Sequence, residues 1–346
     1  MVRSIPKPLL GLCAVIGLSC AAPSAHADEV AAFYRGKTIQ MRVGSAPGGG
    51  YDLIARALVR YMGKYLPGHP NFVVQNVPGA GSVTLANQLY NVAPRDGTVI
   101  GIVTNGAPTA PLLTPNLAHY DPGRFSWIGS PGPETQVALV WHTVPIQSMA
   151  DLYKKEVLVG GVAAGTATVD MPLVMNAFAG TKFKLVSGYQ STVHINLAME
   201  RGEVQGQAAL GWNSLKSTNP DWITGKKVRI LAQYGFKKNP ELPDVPLFPL
   251  PKDAIGRQAV TLMVSRQDYG RPFLAPPGVP ADRVKALRTA FDATMKDAGF
   301  LQEAKALHVD IDPLTGADLD ELTMRLTSTT PQAIDKLRAI LGNWSK

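Results

Sequence analysis

The sequence predicts an α/β protein of two domains, with mostly parallel sheets flanked by helices. Three observations predict it. Short stretches with every second residue apolar alternate with stretches apolar at three- and four-residue spacing, which is the pattern of βαβ units. That pattern restarts after a proline-rich passage containing Pro108, Pro111, Pro115, Pro122, Pro131 and Pro133. The chain has 346 residues, and single cores stop growing at roughly 250–300 residues.

In chain order, the first element is an export signal. Arg3 and Lys7 give a positive start, Leu9 to Leu18 is a run of apolar and small residues, and Ala25-His26-Ala27 is a small-x-small cleavage site, so cleavage is expected after Ala27. The run is short for a membrane span. Cys20 would suit lipoprotein processing, but Gly17 stands where that signal usually has Leu. Both cysteines, Cys13 and Cys20, fall inside residues 1–27. The exported chain then carries no thiol, which excludes disulfides, thiol nucleophiles and cysteine-based metal sites.

Thr38 to Val43 alternates apolar Ile39, Met41 and Val43 with polar residues, a strand with one buried face. Pro47-Gly48-Gly49-Gly50 breaks it, and from Asp52 the period becomes helical through Leu53, Ile54, Ala57, Leu58, Tyr61, Met62 and Tyr65. A second strand is expected at Phe72 to Val77, a helix through Leu85, Leu89 and Tyr90, and a third strand at Val99 to Val103. Beyond the prolines, Val137 to Trp141 and Val157 to Val162 read as strands and Met149 to Lys155 as a short helix. Gly165-Thr166-Ala167-Thr168 then leads into a helix around Met171 to Phe178. Pro280 to about Ala306 reads as one long helix, followed by helices at Ala317 to Leu326 and Ala333 to Leu341.

With 45% hydrophobic and 17% charged residues, the chain can bury a large core and is neither a disordered tail nor a fibre. Its 34 Lys+Arg against 26 Asp+Glu give a net charge of +8, or +6 without residues 1–27. The bases are dispersed, without the clustered stripe that nucleic acid demands. A modest positive surplus suits small anions. Catalytic motifs are missing: there is no Gly-x-Ser-x-Gly, no His-Glu-x-x-His, and His69, His119, His142, His194 and His308 are scattered. Neither a Walker loop nor Gly-x-Gly-x-x-Gly occurs, and no cofactor or metal is expected.

The strongest chemical feature is the loop from Pro47 to Asp52. Its glycines let backbone N–H groups approach a ligand, and the following helix adds unpaired N–H groups and the positive end of its dipole. This suits an anion. The same glycines also suit a tight βα turn, and the residues alone leave both readings open.

Four motifs resemble one family. Ala46-Pro47-Gly48-Gly49-Gly50-Tyr51-Asp52, Asn76-Val77-Pro78-Gly79-Ala80-Gly81, Ala93-Pro94-Arg95-Asp96-Gly97-Thr98 and Leu274-Ala275-Pro276-Pro277-Gly278-Val279-Pro280 stand in the order found in the TctC/Bug family. These are extracytoplasmic solute receptors of tripartite tricarboxylate transporters, and the similarity spans nearly all of the chain after residue 27. The resemblance implies a type II-like, two-lobed periplasmic binding protein with its ligand cleft between the lobes. Lobe 1 is expected to combine residues 28–134 with 236–346, and lobe 2 to span 135–235.

The resemblance also implies a ligand set. Gly48, Gly49, Gly50, Tyr51 and Asp52 would hold a carboxylate from one side, with Thr104 and Asn105 in a second ligand-facing loop. Ala164, Gly165, Thr166 and Thr168 match the facing loop, and Tyr189 and Gln190 a further turn. Gln190 departs from the family's usual basic residue there, and residues 206–211 lack its common acidic residue. Asp52 and Thr168 suit helix caps as well as a site, and Tyr189 suits packing.

The implied function is capture of a di- or tricarboxylate or an aromatic acid by a periplasmic monomer, for delivery to one large and one small membrane subunit. Two other functions compete with it. One is a receptor that hands its closed form to a sensor protein; the other is a secreted hydrolase or lyase, for which no nucleophile or acid–base pair was found.

Overall fold

The structure is a computed structural model that describes residue 1, residues 24–326 and residues 329–342. Of the expected export signal, residues 2–23 lie outside the described residues, and a helix Ser24–Tyr34 runs through the expected cleavage position. Among the described residues no helix is long and apolar enough to cross a membrane.

Among the described residues, eleven strands form two sheets. The first has the order β11-β4-β10-β3-β1-β2 and contains β1 (Thr38–Val43), β2 (Asn71–Asn76), β3 (Val99–Ile102), β4 (Ser126–Ser130), β10 (Phe273–Ala275) and β11 (Leu314–Thr315). The second has the order β7-β6-β8-β5-β9, built from β5 (Gln136–Trp141), β6 (Val157–Gly161), β7 (Phe183–Ser187), β8 (Gly206–Gly211) and β9 (Val228–Gln233). The chain therefore leaves the first sheet after β4 and returns to it only with β10.

The sheets are mixed, which corrects the expectation of mostly parallel ones. β1 runs parallel to β2 and β3, and β6 runs parallel to β7 and β8. β5 is antiparallel to β8 and β9, β10 to β3 and β4, and β11 to β4. The parallel cores come from successive strand–helix–strand units, which need a crossover. The strands that carry the chain between sheets have no such unit, so β10 can slot between β3 and β4 in the opposite sense.

The periods explain the elements. Ile39, Met41 and Val43 of β1 are fully buried while Thr38 and Gln40 face out. Helix Gly50–Met62 buries Ile54, Ala57, Leu58 and Met62 against that sheet. The expected long helix from Pro280 is in fact two, Ala281–Thr294 and Ala298–Ala306. Asp297 separates them because its carboxylate accepts the Phe300 N–H at 2.9 Å, capping the second helix. The short helix near Met149 is a 3₁₀ turn, Met149–Tyr153, held by a Ser148–Asp151 capping box.

Candidate ligand cleft

A cavity of about 670 Å³ lies between the two sheets. The loops that follow six parallel strands, β1, β2 and β3 on one side and β6, β7 and β8 on the other, all reach its wall. Crevices at the carboxyl ends of parallel strands are the usual ligand sites of α/β sheets.

Gly48 has φ +83°, a left-handed conformation that favours glycine. Its N–H donates to Asp52 Oδ2 at 2.9 Å, which folds the loop back onto the helix. Gly49 is the helix N-cap, and the first intrahelical bond runs from the Leu53 N–H to the Gly49 carbonyl. The N–H groups of Gly50, Tyr51 and Asp52 consequently have no hydrogen-bond partner among the described residues. Gly49 and Gly50 lie on the wall; a Cβ on Gly49 would meet nothing within 4 Å, while one on Gly50 would collide with the Ser214 hydroxyl.

The side chains near this loop act mainly as struts. The Tyr51 hydroxyl donates to the Gly270 carbonyl at 3.3 Å and accepts the Asn105 N–H at 3.1 Å. Burial, opposed by that amide and by the Arg271 charge, pushes its phenol up to about 12. The Thr104 hydroxyl donates to the Gly81 carbonyl at 2.7 Å.

The opposite wall repeats the design. Thr166 is the N-cap of helix Ala167–Ala179, and the N–H groups of Ala167 and Thr168 have no partner among the described residues. The Thr166 hydroxyl donates to the Ala163 carbonyl at 2.6 Å, and Thr168 Oγ1 accepts the Val162 N–H at 3.0 Å. Gly165, at φ +86°, donates its N–H to Asp170 Oδ1 at 2.9 Å, just as Gly48 does to Asp52. Each aspartate is matched by an arginine: Arg56 for Asp52 at 3.0 Å, and Arg266 for Asp170 at 2.7 Å.

Nine expected residues share the wall: Gly49, Gly50, Tyr51, Thr104, Asn105, Thr166, Thr168, Tyr189 and Gln190. Four do not. Gly48 faces a smaller adjoining groove with Leu53 and Val193. Asp52 is turned away, its carboxylate taken by Gly48, Arg56 and the Asn76 amide at 2.9 Å. Ala164 and Gly165 pack against the first side instead: a Cβ on Gly81 would lie 2.9 Å from the Gly165 carbonyl carbon and 3.0 Å from the Ala164 oxygen.

Burial raises the Asp52 carboxyl, but hydrogen bonds from Arg56, the Gly48 amide and Asn76, with the charge of Arg56, outweigh it and hold the group below its ordinary value. That stabilisation is present above the ordinary value and is lost as pH falls through the folded one. Asp52→Asn is expected to cost about 1.5–3 kcal/mol at pH 7, the worth of a hydrogen bond to a charged group. Its thermal stability should also fall less steeply than that of the natural chain between about pH 4 and pH 2. Unfolding profiles that stay parallel through this range would remove the carboxylate from this role.

Sequence reasoning missed seven polar side chains on the wall, Ser45, Ser191 and Thr192 and, more consequentially, Glu134, Gln136, Ser214 and Arg271. Glu134 Oε2 and Arg271 Nη2 are 2.6 Å apart, with side chains 4% and 3% exposed. Burial pushes the Glu134 carboxyl above its ordinary value, against the pull of Arg271 and of the Asn213 and Ser214 amides. No motif marks Glu134, Gln136, Ser214 or Arg271: Glu134, Gln136 and Arg271 lie at the two passages of the chain between sheets, Ser214 follows β8, and they meet only in the fold.

The two walls also touch outside the cavity. Lys216 Nζ lies 2.8 Å from Asp310 Oδ2, and the Ser217 hydroxyl donates to the Leu307 carbonyl.

No protein-family model matches the chain. A relative, the UPF0065 protein in the gbd 5′ region of Cupriavidus necator, is 25% identical over 287 residues, covering 82% of this chain and 80% of that protein. The structure of the periplasmic binding protein BugD superposes with a TM-score of 0.67 at 22% identity, covering 89% of this chain and 98% of that one. MatC from Rhodopseudomonas palustris with bound malate gives 0.67 at 18% identity, covering 88% and 99%. The fold is that of the Bug and TctC periplasmic binding proteins.

Proposed function

We propose that the protein is a periplasmic solute receptor of the TctC/Bug kind, exported by residues 1–27, that captures an organic carboxylate and delivers it to a tripartite tricarboxylate-type transporter. Its cargo is a di- or tricarboxylate or an aromatic acid, and the transporter contributes one large and one small membrane subunit. Lobe 1 comprises residues 28–134 and 236–346, and lobe 2 residues 135–235.

One observation carries this reading: unpaired N–H groups at the starts of helices Gly50–Met62 and Ala167–Ala179 border one cavity from opposite walls. Helix starts of this kind favour anions. An anion between them gives each lobe a reason to close on the other. The malate bound to MatC is an acid of the expected class. Against a hydrolase or lyase, no histidine among the described residues is on the cavity wall, and its carboxylate, Glu134, faces Arg271.

Calorimetry and thermal-shift screening of purified protein against organic acids test the proposal. A ligand at a hundred times its Kd stabilises the protein by about 2.7 kcal/mol. Tight binding of an amine or a neutral sugar, with no organic acid bound, would sink it.

Gly49→Val sharpens the test. Gly49 has φ −81° and ψ 167°, which suit valine, so the new side chain enters the open cavity without backbone strain. The expected result is at least tenfold weaker acid binding, or about 1.4 kcal/mol, with folding stability kept within about 1 kcal/mol. Binding as tight as in the natural chain would place the carboxylate elsewhere.

A further inference from the structure

We infer that Glu134 narrows the proposed range of cargo to its single-carboxylate members and disfavours the di- and tricarboxylates, because it is a carboxylate of the protein's own that already faces Arg271. The inference rests on the receptor reading above. Glu134 and Arg271 are the charged residues of the cavity wall, and they face each other at 2.6 Å. Glu134 Oε1 also accepts the Asn213 N–H at 2.8 Å, and Arg271 Nη2 donates to Ser214 Oγ at 3.0 Å.

Two glycines make room for the pair. A Cβ on Gly211 would lie 2.6 Å from Glu134 Oε1, and one on Gly50 would lie 3.1 Å from Arg271 Nη2. An arginine free in a cleft is well shaped to take a carboxylate through two parallel N–H···O bonds. Here Nη2 is taken up by Glu134 Oε2 and Ser214 Oγ, while Nε has no hydrogen-bond partner among the described residues.

Full charges on the wall therefore cancel, and the attraction left for a ligand is that of the helix ends. Helices Gly50–Met62, Ala167–Ala179 and Thr192–Glu200 start at the cavity. Each start carries roughly half a positive charge, about one and a half together. That is enough for one carboxylate and short of two. A second carboxylate would have to lie beside Glu134 or displace it from Arg271, leaving a charge uncompensated in a buried place. The apolar wall at Pro78, Val162, Ala163 and Leu210 instead suits the uncharged body of a monocarboxylate.

The test compares length-matched acids by calorimetry on purified protein: hexanoate against adipate, and 4-methylbenzoate against terephthalate. The single-carboxylate member of each pair is expected to bind at least tenfold more tightly. Glu134→Gln, which keeps the shape and frees Arg271, should shift each ratio by at least tenfold towards the dicarboxylate. Replacing Arg271 by Gln as well should cancel that shift. A natural chain that binds adipate or terephthalate as tightly as its partner overturns the inference and leaves the receptor reading standing, and so does a Glu134→Gln ratio that does not move. Absence of binding by any organic acid overturns both. Should Glu134→Gln fail to fold, the ratios of the natural chain decide alone.

Discussion

Asp170→Ala is expected to lower folding stability by about 3–5 kcal/mol, the cost of breaking a buried ion pair from one side. Asp170 and Arg266 lie 2.7 Å apart with side chains 4% and 5% exposed, so water cannot take over when the carboxylate is removed. The guanidinium would be left buried without its counter-ion. The N–H of Gly165 would also lose its acceptor, loosening the loop before helix Ala167–Ala179. Urea unfolding checks this through a lower midpoint at an unchanged m-value. Asp170→Asn retains an oxygen for Gly165 and should lose less. Equal losses in the two variants would show that the ion pair, and not the loop bond, sets the cost.

Gly106→Ala is expected to weaken acid binding at least tenfold while leaving stability within about 1 kcal/mol of the natural chain. Gly106 has φ −80° and ψ −23°, an ordinary helical conformation, so alanine brings no backbone strain. Its Cβ would collide with the carbonyl oxygen of Gly165 across the cleft. That oxygen belongs to the backbone and cannot swing aside, so the variant should hold the two loops apart. Gly81→Ala probes the same contact less cleanly, since φ +61° adds strain of its own. Calorimetry measures the affinity, and small-angle scattering with saturating acid should give a larger radius of gyration for Gly106→Ala. Normal affinity in this variant would mean that closure does not need the Gly106–Gly165 contact.

Much of the cleft was legible because local periods and glycines mark it. β1, the loop at Gly48 to Gly50 and the helix after it follow from a change of period within about twenty residues. The loop that holds Thr166 and Thr168 follows in the same way, whereas their candidacy as ligand residues came from the family resemblance. Ala164 and Gly165 were recognised as a loop that matters, but whether they face a ligand or the other lobe depends on how the sheets sit together. β8 escaped notice because Gly206–Gly211 is buried on both faces, which erases the alternation of a half-exposed strand. Glu134, Ser214 and Arg271 belong to no motif. Glu134 and Ser214 approach because β5 pairs with β8 in a register that sets Gln136 opposite Gly211, and Arg271 joins them just ahead of β10. Such proximity is a property of topology, which periodicity does not encode.

The largest apolar cluster does not respect the division into sheets. Val99 and Leu274 of the first belong to it together with Val159 and Ala208 of the second, and Met171, Met263 and Leu337 extend it through three helices. Cargo preference is therefore not a portable module of this chain. Grafting residues 135–235 onto the frame of a relative would sever Val159, Met171 and Ala208 from Met263 and Leu337, which the sequence supplies long after the graft ends. A chimera that moved preference intact would have to import the helices Ala254–Tyr269 and Pro331–Gly342 as well, so the natural unit of exchange is close to the whole chain.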